Sequence, residues 1–337
     1  MPATEAPPLL SRPSTAIALV LGLHALGWGI LVASVAAGAE DVHGGGLLAT
    51  GFVAYALGLR HAFDADHIAA IDNTTRRLLD RGLPARNVGT WFALGHSTVV
   101  FCLSVVLAAG AAWVVTAVTA DSSLLHQITG VWGPSVSSGF LLLLAALGIG
   151  TLISHRTGAL PGGPFWRALS AVESAVDRPA RMFAVGLLFG LGFDTATEIG
   201  LLALAGTAAA TALPWWIVLA LPVIFAAGMT ALDTAQAAVA FRAYSAPKPG
   251  RGVLGGYATW MVLVSVSVAV IVAVVQLAGV ATALWGWSGP IAWIAELPIE
   301  DLGIALTALL LVAWVGMLAV AAARRRGPDG RDRAQSA

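Results

Sequence analysis

The feature that most limits what this chain can fold into is a succession of long apolar runs. A run of about 18 or more apolar residues can cross a bilayer as a helix. Eight such runs occur, over about residues 14–38, 46–71, 88–117, 133–154, 182–209, 214–241, 253–281 and 302–323. Composition agrees, since charged residues make up only 11% of the chain, against about 25% in an ordinary soluble domain. The expected fold is an all-α integral membrane protein with about eight transmembrane helices. A tail over 1–13 precedes a single polytopic domain over 14–323, and a second tail covers 324–337. The first run is too long for the apolar part of a signal peptide and is expected to be a retained helix. Zero net charge gives no sign of a nucleic-acid partner. The single cysteine, Cys102, lies in an apolar run, can form no internal disulfide, and is expected as a small buried residue.

Basic residues orient the chain, because cytoplasmic loops carry an excess of Lys and Arg. When loops are numbered alternately, 17 of the 18 basic residues fall on one side. They are Arg12 in the first tail, Arg76, Arg77, Arg81 and Arg86 after the second run, and Arg156, Arg167, Arg178 and Arg181 after the fourth. Arg242, Lys248 and Arg251 follow the sixth run, and Arg324, Arg325, Arg326, Arg331 and Arg333 occupy the last tail. The remaining one, Arg60, lies inside the second run. The opposite loops carry Glu40, Asp41, Asp121, Glu296, Glu300 and Asp301. Both termini are therefore expected in the cytoplasm, with the protein multi-pass in the cytoplasmic membrane. The acidic outer loops would also concentrate cations, although exclusion of Lys and Arg from that side explains the same pattern.

Ionisable residues inside membrane helices are costly and mark function by default. The second run holds Arg60, His61, Asp64, Asp66 and His67 in LRHAFDADHIAAID. The third holds His96 in LGHSTVV, the fifth Asp194 and Glu198 in LGFDTATEIG, the sixth Asp233 in GMTALDTAQ, and the first His24 in LGLHALGWG. At 1.5 Å per residue, His24, His61, His67, His96, Asp194, Glu198 and Asp233 all lie roughly 8–24 Å from the cytoplasmic surface. Separate structural ion pairs would not require five helices to offer imidazole and carboxylate at one depth. Imidazole suits Ni, Co, Zn, Cu and Fe, and carboxylate adds oxygen ligands and negative charge. The lack of thiolate argues against Cu(I), and the histidines argue against a pure Mg²⁺ or Ca²⁺ site. A proton relay fits the same residue types.

One regular helix cannot aim the whole second string at one ion, because Asp66 lies about 140° around from His61. Either that helix is distorted, or Asp66 pairs elsewhere, with Arg60 or with a histidine. In the fifth run Asp194 and Glu198 are i, i+4 and share a face. Thr195 and Thr197 are expected to bond backbone or neighbours, and Gly186, Gly190 and Gly192 to permit close packing. Asp233 fits a ligand, a gate or a partner of Arg60. Runs 2 and 3 carry a charged string and then a short polar one, and runs 5 and 6 repeat that order in the opposite direction (FDADHIA against FDTATEIG). That arrangement fits an inverted repeat with its site between the halves.

Taken together, RHAFDADHI, LGHSTVV, LGFDTATE and GMTALDT resemble the four signatures of the NiCoT nickel/cobalt permeases. The resemblance spans about residues 14–325. It implies secondary transport of Ni²⁺ and/or Co²⁺ by high-affinity uptake, with the dication as substrate, no cofactor and no ATPase subunit. The absence of a GxxxxGK[ST] string accords with that. It also implies metal recognition by His61, Asp66 and His67, the positions of the family's His-x4-Asp-His motif. Where the family often carries a further Asp after the Asp-Thr pair of run 6, this chain has Gln236. Alternatives are an efflux carrier for the same ions, an intramembrane metalloenzyme, and a proton-coupled carrier of an organic solute. No His-rich loop of the kind common in exporters is present. HAFDADH lacks the Glu beside its first His that a zinc hydrolase would use as base.

Overall fold

In a bilayer the backbone must satisfy its own polar groups, so apolar runs become helices. A computed structural model describes residues 13–39, 46–110, 122–157, 176–192, 196–210, 213–245 and 254–325, with single positions at 113, 117, 120, 163, 164, 166, 167 and 169. No strand occurs among them. The helices are α1 (Pro13–Ala36), α2 (Leu47–His61), α3 (Ala65–Asp80), α4 (Val88–Ala108), α5 (Leu124–Thr157), α6 (Met182–Gly190) and α7 (Ala196–Ala210). After them come α8 (Trp215–Tyr244), α9 (Leu254–Trp285), the short α10 (Pro290–Ala295) and α11 (Ile299–Arg325). Five are long and apolar enough to cross a membrane, over Ser14–Ala36, Val88–Ala108, Leu124–Ser154, Trp215–Tyr244 and Val262–Trp285. Large apolar side chains are turned outward, among them Leu21, Phe52, Trp260 and Val312, as lipid rather than water would favour. This is a multi-pass membrane protein.

Two of the expected runs are not single helices. The run over 46–71 is broken: α2 stops at His61 and α3 starts at Ala65. At 1.5 Å per residue, α2 is only ~22 Å long and α3 ~24 Å, each short of the ~30 Å hydrocarbon core. α3 then runs on to Asp80, so Arg76 and Arg77 belong to a helix and not to a loop. The run over 182–209 is interrupted in the same way, α6 ending at Gly190 and α7 beginning at Ala196. Within the first break, the amides of Phe63 and Asp64 donate to the carbonyls of Arg60 and His61 at 2.9 Å each. Asp64 itself is extended, at φ −62 and ψ 137.

The far end of α3 is closed by Gly82 at φ +67. There the Leu83 amide donates to the Leu78 carbonyl at 2.8 Å and the Gly82 amide to that of Leu79 at 3.0 Å, the paired bonds of a Schellman cap. Helix α8 is the central post, packed on α1, α2, α3, α4, α7 and α11. Glycines set the closest crossings. A Cβ on Gly58 would stand 2.1 Å from the Phe225 carbonyl oxygen, one on Gly95 1.9 Å from that of Phe183, and one on Gly186 2.0 Å from that of Phe92. Gly303 of α11 lies equally close to the Phe63 carbonyl, so α11 backs the break itself. Cys102 differs from expectation. It sits on an exposed stripe of α4 with Phe101, Val105 and Val106, where an apolar side chain faces outward at no cost.

Candidate metal site

The break between α2 and α3 does what a continuous helix could not. It turns His61, the last residue of α2, and His67, in the first turn of α3, toward each other with ring centroids 4.6 Å apart. His96 of α4 joins them, at 4.7 Å from His61 and 4.9 Å from His67. Each of the three is at most 3% exposed, and one ring nitrogen from each lies within 4.8 Å of the others. Glu198 enters from the first turn of α7, fully buried. Its Oε1 is 2.7 Å from His96 Nε2 and 3.9 Å from His61 Nε2. His61 Nε2 and His96 Nε2 are themselves 2.9 Å apart. Two imidazole lone pairs cannot face one another at that distance unless a proton or a cation lies between them.

These spacings suit a transition-metal ion. With metal–ligand bonds of ~2.1 Å, donor atoms in one coordination sphere stand ~3 Å apart at right angles and ~4.2 Å apart across it. The remaining contacts aim the donors. His61 Nδ1 sits 2.8 Å from Asp64 Oδ2 and 3.0 Å from Thr197 Oγ1. A proton on Nδ1 toward Thr197 Oγ1 leaves the Nε2 lone pair toward His96 and Glu198, while the adjacent Asp64 Oδ2 is buried without a hydrogen-bond partner among the described residues. His67 Nδ1 lies 3.5 Å from Asp233 Oδ2 of α8. His67 Nδ1 and both Asp233 oxygens are buried without a hydrogen-bond partner among the described residues. Unpartnered buried polar atoms call for an explanation, and a cation-binding site provides one.

Asp66 also faces this pocket, whose lining includes His61, Asp64, His67, His96, Phe189 and Glu198. Its carboxylate accepts from the His67 backbone amide at 2.9 Å and from the Gln276 side chain at 3.2 Å. The helix is broken, as one reading of the second string expected, and the side-chain partner of Asp66 is Gln276 rather than the Arg60 or histidine that the other named. The rings are walled by apolar side chains, Phe92 edge-on to His67 at 4.7 Å and Phe225 against His61 at 5.7 Å. Phe225 belongs to a core drawn from α1, α2, α4, α7 and α8, and Phe92 to one drawn from α3, α4, α5, α6, α8, α9 and α11. The site thus lies on the seam between two packed regions. Asp66 and Glu198 occupy first helical turns, where the helix dipole favours negative charge.

His61, Asp64, Asp66, His67, His96 and Glu198 are thus brought together, with Asp233 behind His67. His24 is elsewhere. Its Nδ1–H donates to the Val20 carbonyl at 2.8 Å, and its Nε2 accepts from the Tyr55 hydroxyl at 3.1 Å. Asp194 lies outside the described residues. Gln236 donates to the Ile68 carbonyl at 3.2 Å, bracing α3 one residue past His67. Gln276 and Ser138 escaped sequence reasoning. The signal that could have found Gln276 was a lone amide in the apolar string VAVVQLAGV.

The family model described as high-affinity nickel-transport protein matches residues 47–158 and 163–320. The chain is 41% identical over 324 residues to nickel transporter NicT of Mycobacterium tuberculosis, covering 90% of this chain and 87% of that one. It is 36% identical over 321 residues to nickel transporter NixA of Staphylococcus aureus, covering 89% and 91%. Cobalt transport protein NhlF of Rhodococcus rhodochrous is 37% identical over 330 residues, covering 91% of each. No solved structure matches the chain.

Proposed function

The chain belongs to the family of high-affinity nickel-transport proteins, and on that premise we propose that it is a secondary transporter that takes up Ni²⁺ and/or Co²⁺ across the cytoplasmic membrane. The observation that carries this reading is the convergence of three buried histidines from two separate strings, with a buried glutamate 2.7 Å from one of them. Relatives named as nickel and cobalt transporters support the choice of ion and leave no role for a metalloenzyme.

In this mechanism the dication sheds water and binds His61, His67 and His96. Asp66, Glu198 and Asp233 offset its charge, while Thr197 and Asp64 flank the His61 ring. The chain crosses the membrane eight times with both termini in the cytoplasm, α2–α3 forming one crossing and α6–α7 another. Helices α3 and α7 begin within the related strings FDADHIA and FDTATEIG, which supports an inverted repeat that rocks about the ion. The membrane potential supplies ~2.3 kcal/mol per charge per 100 mV, or ~4.6 for a dication.

The test is accumulation of radiolabelled nickel at trace concentration in cells making the wild type or the His67→Ala protein at equal membrane levels. Uptake that disappears with His67 is expected. A variant that accumulates nickel normally would remove the α2–α3 break from the mechanism, and wild-type cells holding less nickel than the mutant would mark an exporter.

A further inference from the structure

Helix α9 contains no charged residue and no histidine along its whole length from Leu254 to Trp285, yet it touches the candidate site. Gln276 is 6% exposed, and its Nε2 donates to Asp66 Oδ2 at 3.2 Å. Its Oε1 accepts from the hydroxyl of Ser138, a fully buried residue of α5, at 3.1 Å. An amide has one donor end and one acceptor end. The hydroxyl on Oε1 therefore fixes which way the amide points and keeps its N–H groups toward the carboxylate. The hydroxyl's single proton is shared with the Pro134 carbonyl of its own helix, 2.5 Å away, a bifurcated bond that anchors Ser138 in turn. Asp66 is thus gripped from two sides, by the His67 amide on Oδ1 and by α9 on Oδ2. Asp66 itself lines the pocket shared with His61, His67, His96 and Glu198.

We propose that Gln276, oriented by Ser138, is a positioning residue that holds the Asp66 carboxylate in the geometry the ion requires, and that this relay sets affinity for the transported dication. The inference rests on the reading of the pocket as the metal site. A neutral amide is suited to the task. It satisfies one carboxylate lone pair without cancelling the charge that the dication needs. A Lys or Arg at this place would neutralise Asp66, and an apolar residue would leave it free to rotate. Loss of a group that orients a metal ligand typically costs 10–100-fold in affinity.

The experiment measures the concentration dependence of radiolabelled nickel uptake for wild type, Ser138→Ala, Gln276→Met and the double variant, with nickel-induced melting shifts on the purified proteins. Met keeps the volume of Gln and removes both hydrogen bonds. Each single substitution is expected to raise KM by about 10-fold with Vmax nearly unchanged, and the double to do no more than Gln276→Met alone. An unchanged KM in Gln276→Met overturns the proposal, and so do effects that multiply in the double variant, because Ser138 would then not act through Gln276. If Gln276→Met does not reach the membrane, Ser138→Ala decides the matter: its removal of one hydroxyl must raise KM. A wild type neither transporting nor stabilised by nickel would end the metal reading itself, and this proposal with it.

Discussion

Adding one methyl group at Gly186 should weaken the site without altering any of its side chains. Gly186 lies in α6, and its Cβ would stand 2.0 Å from the Phe92 carbonyl oxygen and 3.0 Å from the His96 amide nitrogen, both in α4. A C–H···O contact is comfortable at ~3.3 Å, so the two helices would have to part by ~1.3 Å. They cannot slide to avoid this, because on the facing helix Gly95 is just as close to the Phe183 carbonyl. Overpacking of this kind costs about 1–3 kcal/mol. The functional cost is larger, because His96 sits at the contact and metal–ligand distances tolerate only about 0.2 Å. Gly186→Ala is expected to lower the melting temperature in detergent and to raise the KM for nickel at least ~10-fold. Gly279→Ala is the control. Nothing lies within 4 Å of its Cβ position, and Ala there should be neutral or stabilise α9 by up to ~1 kcal/mol. A Gly186→Ala protein with wild-type melting temperature and KM would refute both the α4–α6 register and the dependence of the site on it.

Two further outcomes follow from the polar contacts. Glu198→Gln keeps the shape of the residue but removes a negative charge 2.7 Å from His96 Nε2. The nickel-induced rise in melting temperature, worth ~2.7 kcal/mol of stabilisation at 100 times Kd, should largely vanish at the same nickel concentration; an undiminished rise would place Glu198 outside the site. Tyr244→Phe removes the hydroxyl that donates to buried Asp72 at 2.5 Å, leaving Ser265 on the other oxygen at 2.8 Å. It should cost about 1–3 kcal/mol of stability while the nickel-induced increment stays intact. Loss of the increment would tie the Asp72 cluster to metal binding.

The polar strings were legible in the sequence because every charge inside a bilayer must be accounted for. Depth put His24, His61, His67, His96, Asp194, Glu198 and Asp233 at one level, and the structure gathers His61, His67, His96 and Glu198 at one pocket with Asp64 and Asp66. His24 satisfied the same depth argument yet bonds Tyr55. Depth fixes the level of a residue along the membrane normal and says nothing of its direction around the helix. The packing was illegible for a related reason. Gly22, Gly139 and Gly279 have no neighbour within 4 Å, whereas Gly58, Gly95 and Gly186 lie against carbonyls of facing helices. A small residue reads identically on a lipid face and at a crossing, and only the partner backbone tells them apart.

The break at Ala62–Asp64 is the most instructive case, because HAFDA holds neither of the residues that usually interrupt helices. Its only trace in the sequence was a contradiction: ligands at i, i+5 and i+6 cannot share one side of a regular helix. A buried break exposes backbone groups that must find partners. Here two short bonds satisfy the Phe63 and Asp64 amides, and Gly303 lets α11 close directly over the Phe63 carbonyl. The arrangement is therefore stabilised by a glycine some 240 residues downstream in the chain, and local propensity had no part in specifying it. What local sequence did supply was the chemistry. Opening the helix sets Asp64 and Asp66 at the start of α3, where the helix dipole favours their charge, and brings His61 and His67 to bear on the same point. The break unites imidazole and carboxylate groups in a buried pocket, the donor types that a dication in a low-dielectric interior would require.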